Sequence, residues 1–484
     1  MQTPCFPAWR ARFAALGRRS VHRLRQATLA QLGEHLGSLI PPGLLAAEDE
    51  GLNSRERVFS LGFTAQCFLW QLLNPGTACR EVVRQVQALC RLQGRQPPDD
   101  NTSAYAQARK RLPQERLEGM LGATARAADR RAGDVGHLRG RPVKVVDGSA
   151  VQLPDTPENQ KQYPQPSRQK RGCGFPVMHL VVLFSLASGA LLAVAMGNLH
   201  QHDLRLFALL WETLRAGDIL LGDRGFGDYV TLARLPLQGV DVVARLHARR
   251  KVDFRKGRRL GHHDALYVWR KGYRQSDILT ARQWRRLPEQ ITVRIVRFTA
   301  LIRGYRNRPI TLVTTLLDPV AYPAEELAAL YGRRWRLELC LRDVKTTMGM
   351  EMLRCQSPAM ARKEVLTYLI AHNLVRCVMA EAALVHDAQL DRLSFKGTLD
   401  ALRQYSAAID RGRNRRVRQQ LWEDLLLNLV RDAVPDRPGR SEPRAVKRRP
   451  KPFPLLNKPR RKFKELPHRN RYWKGNPRNT RGLN

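Results

Sequence analysis

Three carboxylates stand where phosphate chemistry could use them. Asp147 and Asp223 each follow a short apolar run and open a turn sequence, Asp147-Gly-Ser and Gly222-Asp-Arg-Gly-Phe226. Glu338 lies in Tyr331-Gly-Arg-Arg-Trp-Arg-Leu-Glu-Leu-Cys-Leu-Arg-Asp-Val-Lys345, a proline-free stretch with apolar residues at helical spacing. At ~100° per residue, Tyr331, Arg334, Glu338 and Lys345 fall at roughly 0°, 300°, 340° and 320°. One acid thus shares a narrow stripe with two cations and a phenol, and Trp335 and Arg342 widen it. Asp343 falls about 140° from Glu338 and lies off that stripe. Phosphoryl transfer assisted by two metal ions needs oxygen ligands holding them ~3.5–4 Å apart. Magnesium takes a few carboxylates and completes its shell with water and substrate oxygens. Asp147, Asp223 and Glu338 would supply that set if the fold brings them together. A bland reading stands beside it: a strand-end Asp often forms a turn, and a charged stripe is often a solvated helix face.

The elements that must position these residues are mixed. Residues 1 to about 135 are expected to be mostly helical, interrupted at Pro41-Pro42 and Pro97-Pro98. Apolar spacing predicts helices from Arg55 to Leu73 and from Ala78 to Cys90, and Asn101-Thr-Ser103 can cap another. From about 138 strands take over. Pro142–Val146 is expected to end at Asp147. Residues 177–196, apolar for the ~20 residues a bilayer requires, are broken by Ala187-Ser-Gly189 and predict a buried hairpin. A helix (203–214), a strand (218–221) ending at Asp223, a helix (228–235) and a strand (240–245) follow. This order predicts a mixed sheet with helical cover, and strand ends in open α/β sheets favour ligand sites.

Residues 246–309 carry 18 Lys and Arg against 4 Asp and Glu, with Tyr267, Trp269, Tyr273 and Trp284 among them. They are expected to form a β-rich basic insertion, before 308–317 returns to the sheet. Residues 363–430 are again helical in pattern. The stretch 431–484, with 18 basic against 4 acidic residues and many prolines, is expected to be disordered until it meets a polyanion.

Composition narrows the partner. The chain has 484 residues and a formal charge of +41, which points to nucleic acid ahead of an anionic membrane. Its eight cysteines, at 5, 67, 79, 90, 173, 340, 355 and 377, show no CxxC spacing. That argues against a zinc module or a disulfide framework and suits a reducing, cytoplasmic setting. No signal peptide is evident, and no Gly-x4-Gly-Lys-Ser/Thr loop speaks for ATP. His200-Gln-His202-Asp203 lacks paired ligand spacing, and His262-His263-Asp264 sits in the basic insertion; neither is expected to hold a metal.

The two aspartate turns, the spacing Tyr-x2-Arg-x3-Glu-x6-Lys and the flanking Lys345-Thr-Thr-Met-Gly resemble bacterial insertion-sequence transposases. They are similar to the DDE family with the Tyr-Arg-Glu-Lys signature, the insertion sequence four family, over about residues 50–380. The resemblance implies an RNase H-like catalytic domain (136–430) with its first and fourth strands adjacent, interrupted by the β-rich insertion. A helical N-terminal region would bind DNA ends. It implies that Asp147, Asp223 and Glu338 bind Mg²⁺, with Mn²⁺ substituting, while Tyr331, Arg334 and Lys345 hold DNA phosphates. The implied reaction frees a 3′-hydroxyl at each end of the enzyme's own mobile element and joins it to target DNA. The implied partners are terminal inverted repeats and target DNA, with two copies meeting on paired ends and no membrane. Trp269 or Trp284 would be candidates to stack on a flipped base. A metal-dependent nuclease without strand transfer, or an inactive DNA-binding relative, are the alternatives.

Overall fold

A computed structural model describes residues 39–46, 58–92, 94–170, 172–299, 309–411 and 413–435. The expectations for the first 38 residues and for nearly all of the basic tail fall outside these. A nine-stranded mixed sheet, in the order β3-β2-β1-β4-β5-β9-β8-β7-β6, runs through the molecule. Its strands are β1 (Val143–Gln152), β2 (Val177–Ser185), β3 (Leu191–Asn198), β4 (Ile219–Gly222), β5 (Asp241–Arg245), β6 (Arg258–Gly261), β7 (Asp264–Arg270), β8 (Gln290–Thr299) and β9 (Pro309–Thr314). β1, β4 and β5 are parallel neighbours, whereas β2 and β3 add to β1 as an antiparallel hairpin. On the other side β9 pairs antiparallel with β5, and β8, β7 and β6 continue from it.

The hairpin expected at 177–196 is β2 paired with β3, and β3 forms one edge of the sheet. The expected insertion is not set apart from the sheet: its strands extend the same nine-stranded surface. It also holds a helix that the β-rich expectation did not include. The described part of the N-terminal region is helical: α1 (Pro42–Leu45), α2 (Leu61–Leu73), α3 (Cys79–Leu92), α4 (Ser103–Arg111) and α5 (Gln114–Ala132). Short helices α6 (Pro157–Gln162), α7 (Asp203–Ala208), α8 (Tyr229–Arg234) and α9 (Ala281–Arg286) interleave with the strands. The helix expected over 203–214 stops at Ala208 and resumes as a single 3-10 turn at Trp211–Thr213. α10 (Ala324–Arg333), α11 (Arg336–Arg342), α12 (Pro358–Val385), α13 (Phe395–Arg411) and α14 (Arg415–Arg431) complete the chain.

Two cores lie on opposite faces of the sheet. One buries Val145, Val151, Leu180 and Leu221 beneath α12, α5 and α2; the other buries Val146, Val181, Leu220 and Val242 beneath α7 and α8. This is the alternation a strand imposes when both faces are covered. α12 is apolar and long enough to cross a membrane by composition, yet it is the central buried helix of the first core. Asn373 on it holds the sheet's outer strand through two 2.8 Å bonds, accepting from Leu191 N and donating to Leu191 O. The insertion is pinned by an ion pair. Arg294 (1% exposed) bonds Asp264 through Nε at 2.8 Å and reaches the Asp318 and Tyr322 carbonyls through Nη1. A guanidinium this deeply buried is tolerable because its donors meet a carboxylate and two carbonyls.

Candidate active site

Asp147 does not end its strand. β1 runs five residues beyond it, to Gln152, paired with β2 throughout. The turn-like Gly-Ser that follows Asp147 is extended backbone paired with Val181 and Leu180 of β2, a case of tertiary pairing overriding local propensity. Asp223 does stand just beyond its strand, with extended backbone before a 3-10 turn at Arg224–Phe226. Register brings the two together. Val145 lies opposite Leu221 on parallel strands, so two residues further on Asp147 and Asp223 share one level and one face. Adjacent strands are spaced about 4.8 Å apart.

Glu338 reaches this level from above. The predicted continuous helix is broken: α10 ends at Arg333, Arg334 and Trp335 form the joint, and α11 begins at Arg336. A π-helical turn then spans Asp343–Thr347. Uniform 100° steps therefore do not hold from Tyr331 to Lys345, though they hold well enough between Arg334 and Glu338. Arg334 Nη2 lies 3.4 Å from Glu338 Oε1, and its Nη1 lies 3.9 Å from Asp147 Oδ2. The Tyr331 hydroxyl donates to Asp223 Oδ1 at 3.3 Å. Of the six residues singled out from sequence, five thus form one constellation. Lys345, in the π turn, makes no ion pair with these acids among the described residues.

The electrostatics follow from that geometry. Burial raises the Asp147 pKa, and the charges of Asp223 and Glu338 raise it further, against the Gly148 N–H and Arg334, which lower it. For Arg334, burial opposes the charge, but Tyr331, Asp223, Asp147 and Glu338 together outweigh it and raise its pKa. Burial also raises the Tyr331 pKa, so its hydroxyl keeps the proton it donates in the hydrogen bond to Asp223. The site therefore gathers three carboxylates around one guanidinium, an excess of negative charge in a half-buried place. Among the described residues no three ligating side chains are drawn together at metal-binding spacing; Arg334 holds the centre instead. The donor set is carboxylate oxygen throughout, which fits a hard divalent cation and not zinc or copper.

Asp343, placed off the stripe on angular grounds, is pushed up to about 6 by burial, against the charges of Arg342 and Arg376, which lower it. Arg245 is a residue sequence reasoning did not pick out. It ends β5, next to the strand that delivers Asp223, and its charge acts on Tyr331. The available signal was its place at the end of a third parallel strand. Trp335, at the helix joint, leaves 55% of its surface exposed beside Arg334. The insertion's tryptophans are occupied: Arg250 lies 3.9 Å over the Trp269 ring and Lys271 5.5 Å over that of Trp284.

Comparisons with known proteins bear on what such a site does. The family model described as a transposase DDE domain matches residues 138–374. The chain is 26% identical over 429 residues to the transposase InsG for insertion sequence element IS4 of Escherichia coli (strain K12), covering 87% of this chain and 94% of that one. A solved structure of the piggyBac transposase synaptic complex with hairpin DNA matches with a TM-score of 0.40 and 7% identity, over 86% of this chain and 85% of that one.

Proposed function

The chain belongs to the DDE transposases of the insertion sequence four family, and on that premise we propose that Asp147, Asp223 and Glu338 form its reaction centre. The observation that carries this reading is Arg334, set between Asp147 and Glu338 with its charge shared by Asp223. The order β3-β2-β1-β4-β5, antiparallel outside and parallel within, supports an RNase H-like domain around that centre.

The three carboxylates would hold Mg²⁺ or Mn²⁺. When bound, such ions supply Lewis acidity to the attacking oxygen and stabilise the leaving one. At the element's end, water attacks the phosphorus, the P–O3′ bond breaks and a 3′-hydroxyl is released. In joining, that hydroxyl attacks a target phosphodiester, so one P–O bond forms as another breaks and no nucleotide cofactor is consumed. Arg334 turns its guanidinium from the acids to a non-bridging phosphate oxygen, a contact its planar fork makes well. Tyr331 donates its proton to the same phosphate or orients Asp223. Lys345 binds the backbone further along the DNA. The helices before Ala132 would grip the element's ends, and the basic insertion and tail would neutralise phosphates. Two copies would act together on paired ends, in the cytoplasm.

The test uses labelled DNA carrying the element's terminal repeats, a target plasmid and Mg²⁺. Joined products are expected from the native protein, and Glu338→Gln should bind the ends without cutting. Cut but unjoined ends would instead support a nuclease. Strand cleavage retained by Glu338→Gln would remove Glu338 from the centre.

A further inference from the structure

On the face of β1 opposite Asp147, the backbone rests on a second charged assembly. Gly148, Ala150 and Gly197 leave one patch of the β1–β2–β3 surface almost without side chains, and His179 projects from β2 between them: it pairs with Ala150 on one side and Gly197 on the other. The turn Asn198–Asp203 folds back onto this floor. Its Gln201 Oε1 accepts from Asn198 N at 3.0 Å and would collide with any β-carbon on Gly197, at 2.2 Å. The Asp203 carboxylate comes to rest on Gly148, where a methyl group would lie 3.1 Å from Oδ2. His179 locks the turn in place, with Nε2 2.8 Å from Asp203 Oδ1 and Nδ1 3.1 Å from the Gln201 carbonyl. Both partners only accept, and the Asp203 carboxylate raises the His179 pKa, favouring the ring form that donates to each.

Resting on the ligand assignment above, we propose that His179 and Asp203 are positioning residues for Asp147. Gly148 is the link. Its N–H donates 2.8 Å to Asp147 Oδ1, so the orientation of that carboxylate depends on the Gly148 peptide. With no side chain of its own, Gly148 is held from behind by the Asp203 carboxylate. The sequence motif His200-Gln-His202-Asp203 thereby acquires a role without ligating a metal: His202 caps α7 by accepting from Leu204 N, and Asp203 buttresses the strand. Groups that orient a ligand from outside the coordination sphere typically change metal affinity by about 10–100-fold when removed.

The experiment titrates Mn²⁺ into the full-length protein without DNA, following bound ion by electron paramagnetic resonance. In parallel, Mg²⁺ is titrated into the end-cleavage assay. Asp203→Ala should weaken Mn²⁺ binding about 10–100-fold and shift the Mg²⁺ requirement upward, with the cleavage plateau recovered at high Mg²⁺. Gly148→Ala should do the same, and combining the two should cost less than their sum, since both disturb one contact. A structural role alone would lower the folded fraction and the plateau while leaving the Mn²⁺ affinity of the folded molecules unchanged. Asp203→Ala with native Mn²⁺ affinity overturns the proposal. Asp147→Asn run alongside separates the two levels: if it too keeps native affinity, the ligand assignment falls and the positioning role with it.

Discussion

Replacing Arg334 by alanine removes the guanidinium that lies between Asp147 and Glu338. Its guanidinium lies 3.9 Å from Asp147, and both side chains are at least three-quarters buried. At an effective dielectric constant of about 20, a unit pair at that distance attracts by about 4 kcal/mol. The Glu338 contact adds little, because that carboxylate is 64% exposed and screened. Burial of the guanidinium itself, which opposes its charge, offsets part of the gain, so a net loss of about 1–2 kcal/mol is expected. Three carboxylates would then repel one another without the guanidinium between them. The variant should therefore melt a few degrees below the native protein in chelator, by differential scanning fluorimetry. Divalent cation should restore more of the melting temperature in the variant than in the native protein, since the ion enters a site with no competing cation. Cleavage should still fall steeply, because the proposed phosphate contact is lost. Equal melting temperatures in chelator, or equal stabilisation of both proteins by Mn²⁺, would show that Arg334 does not neutralise these acids.

Three further outcomes follow from the same structure. Arg294→Met leaves Asp264 buried and unpaired, so chemical denaturation should show a loss of about 3–5 kcal/mol, and replacing both partners by apolar residues should recover much of it. His372 is wholly buried against the Phe395 ring, and burial pushes its pKa down to about 3, with Arg376 adding to the effect and Asn373 opposing it. The unfolded chain then binds the proton first, so stability should fall as pH drops from about 6.5 toward 3, by up to about 1.4 kcal/mol per unit. His372→Phe should flatten that slope in denaturant melts between pH 7 and 5. DNA affinity should fall steeply with salt, as counterion release demands of a chain with a charge of +41; a flat salt titration would contradict phosphate-dominated binding.

Much of the site was legible in the chain because its chemistry is local. Arg334 and Glu338 are four residues apart, and any helical turn joins them. The place of Asp223 just beyond a strand was legible because a short apolar run ends in a glycine-bearing turn. The hairpin at 177–196 was legible for the same reason, apolar runs of strand length broken by Ala187-Ser-Gly189. What sequence spacing could not supply was anything fixed by register. Asp147 was expected at a strand end and sits mid-strand, because pairing with β2 carries β1 across a glycine and a serine that locally favour a turn. The straight helix from Tyr331 to Lys345 gave way to a joint and a π turn, so Lys345 left the stripe that even rotation assigns it. The insertion joined the main sheet because β9 returns beside β5, a pairing between residues some 70 apart. Sequence by itself determined which side chains could do the chemistry, since residue type and near-neighbour spacing are local. Only the tertiary structure decided that Asp147 and Asp223 share a level, and that Asp203 stands behind Gly148. Both depend on how strands from distant parts of the chain align, and a shift of one residue would turn each of these side chains to the opposite face.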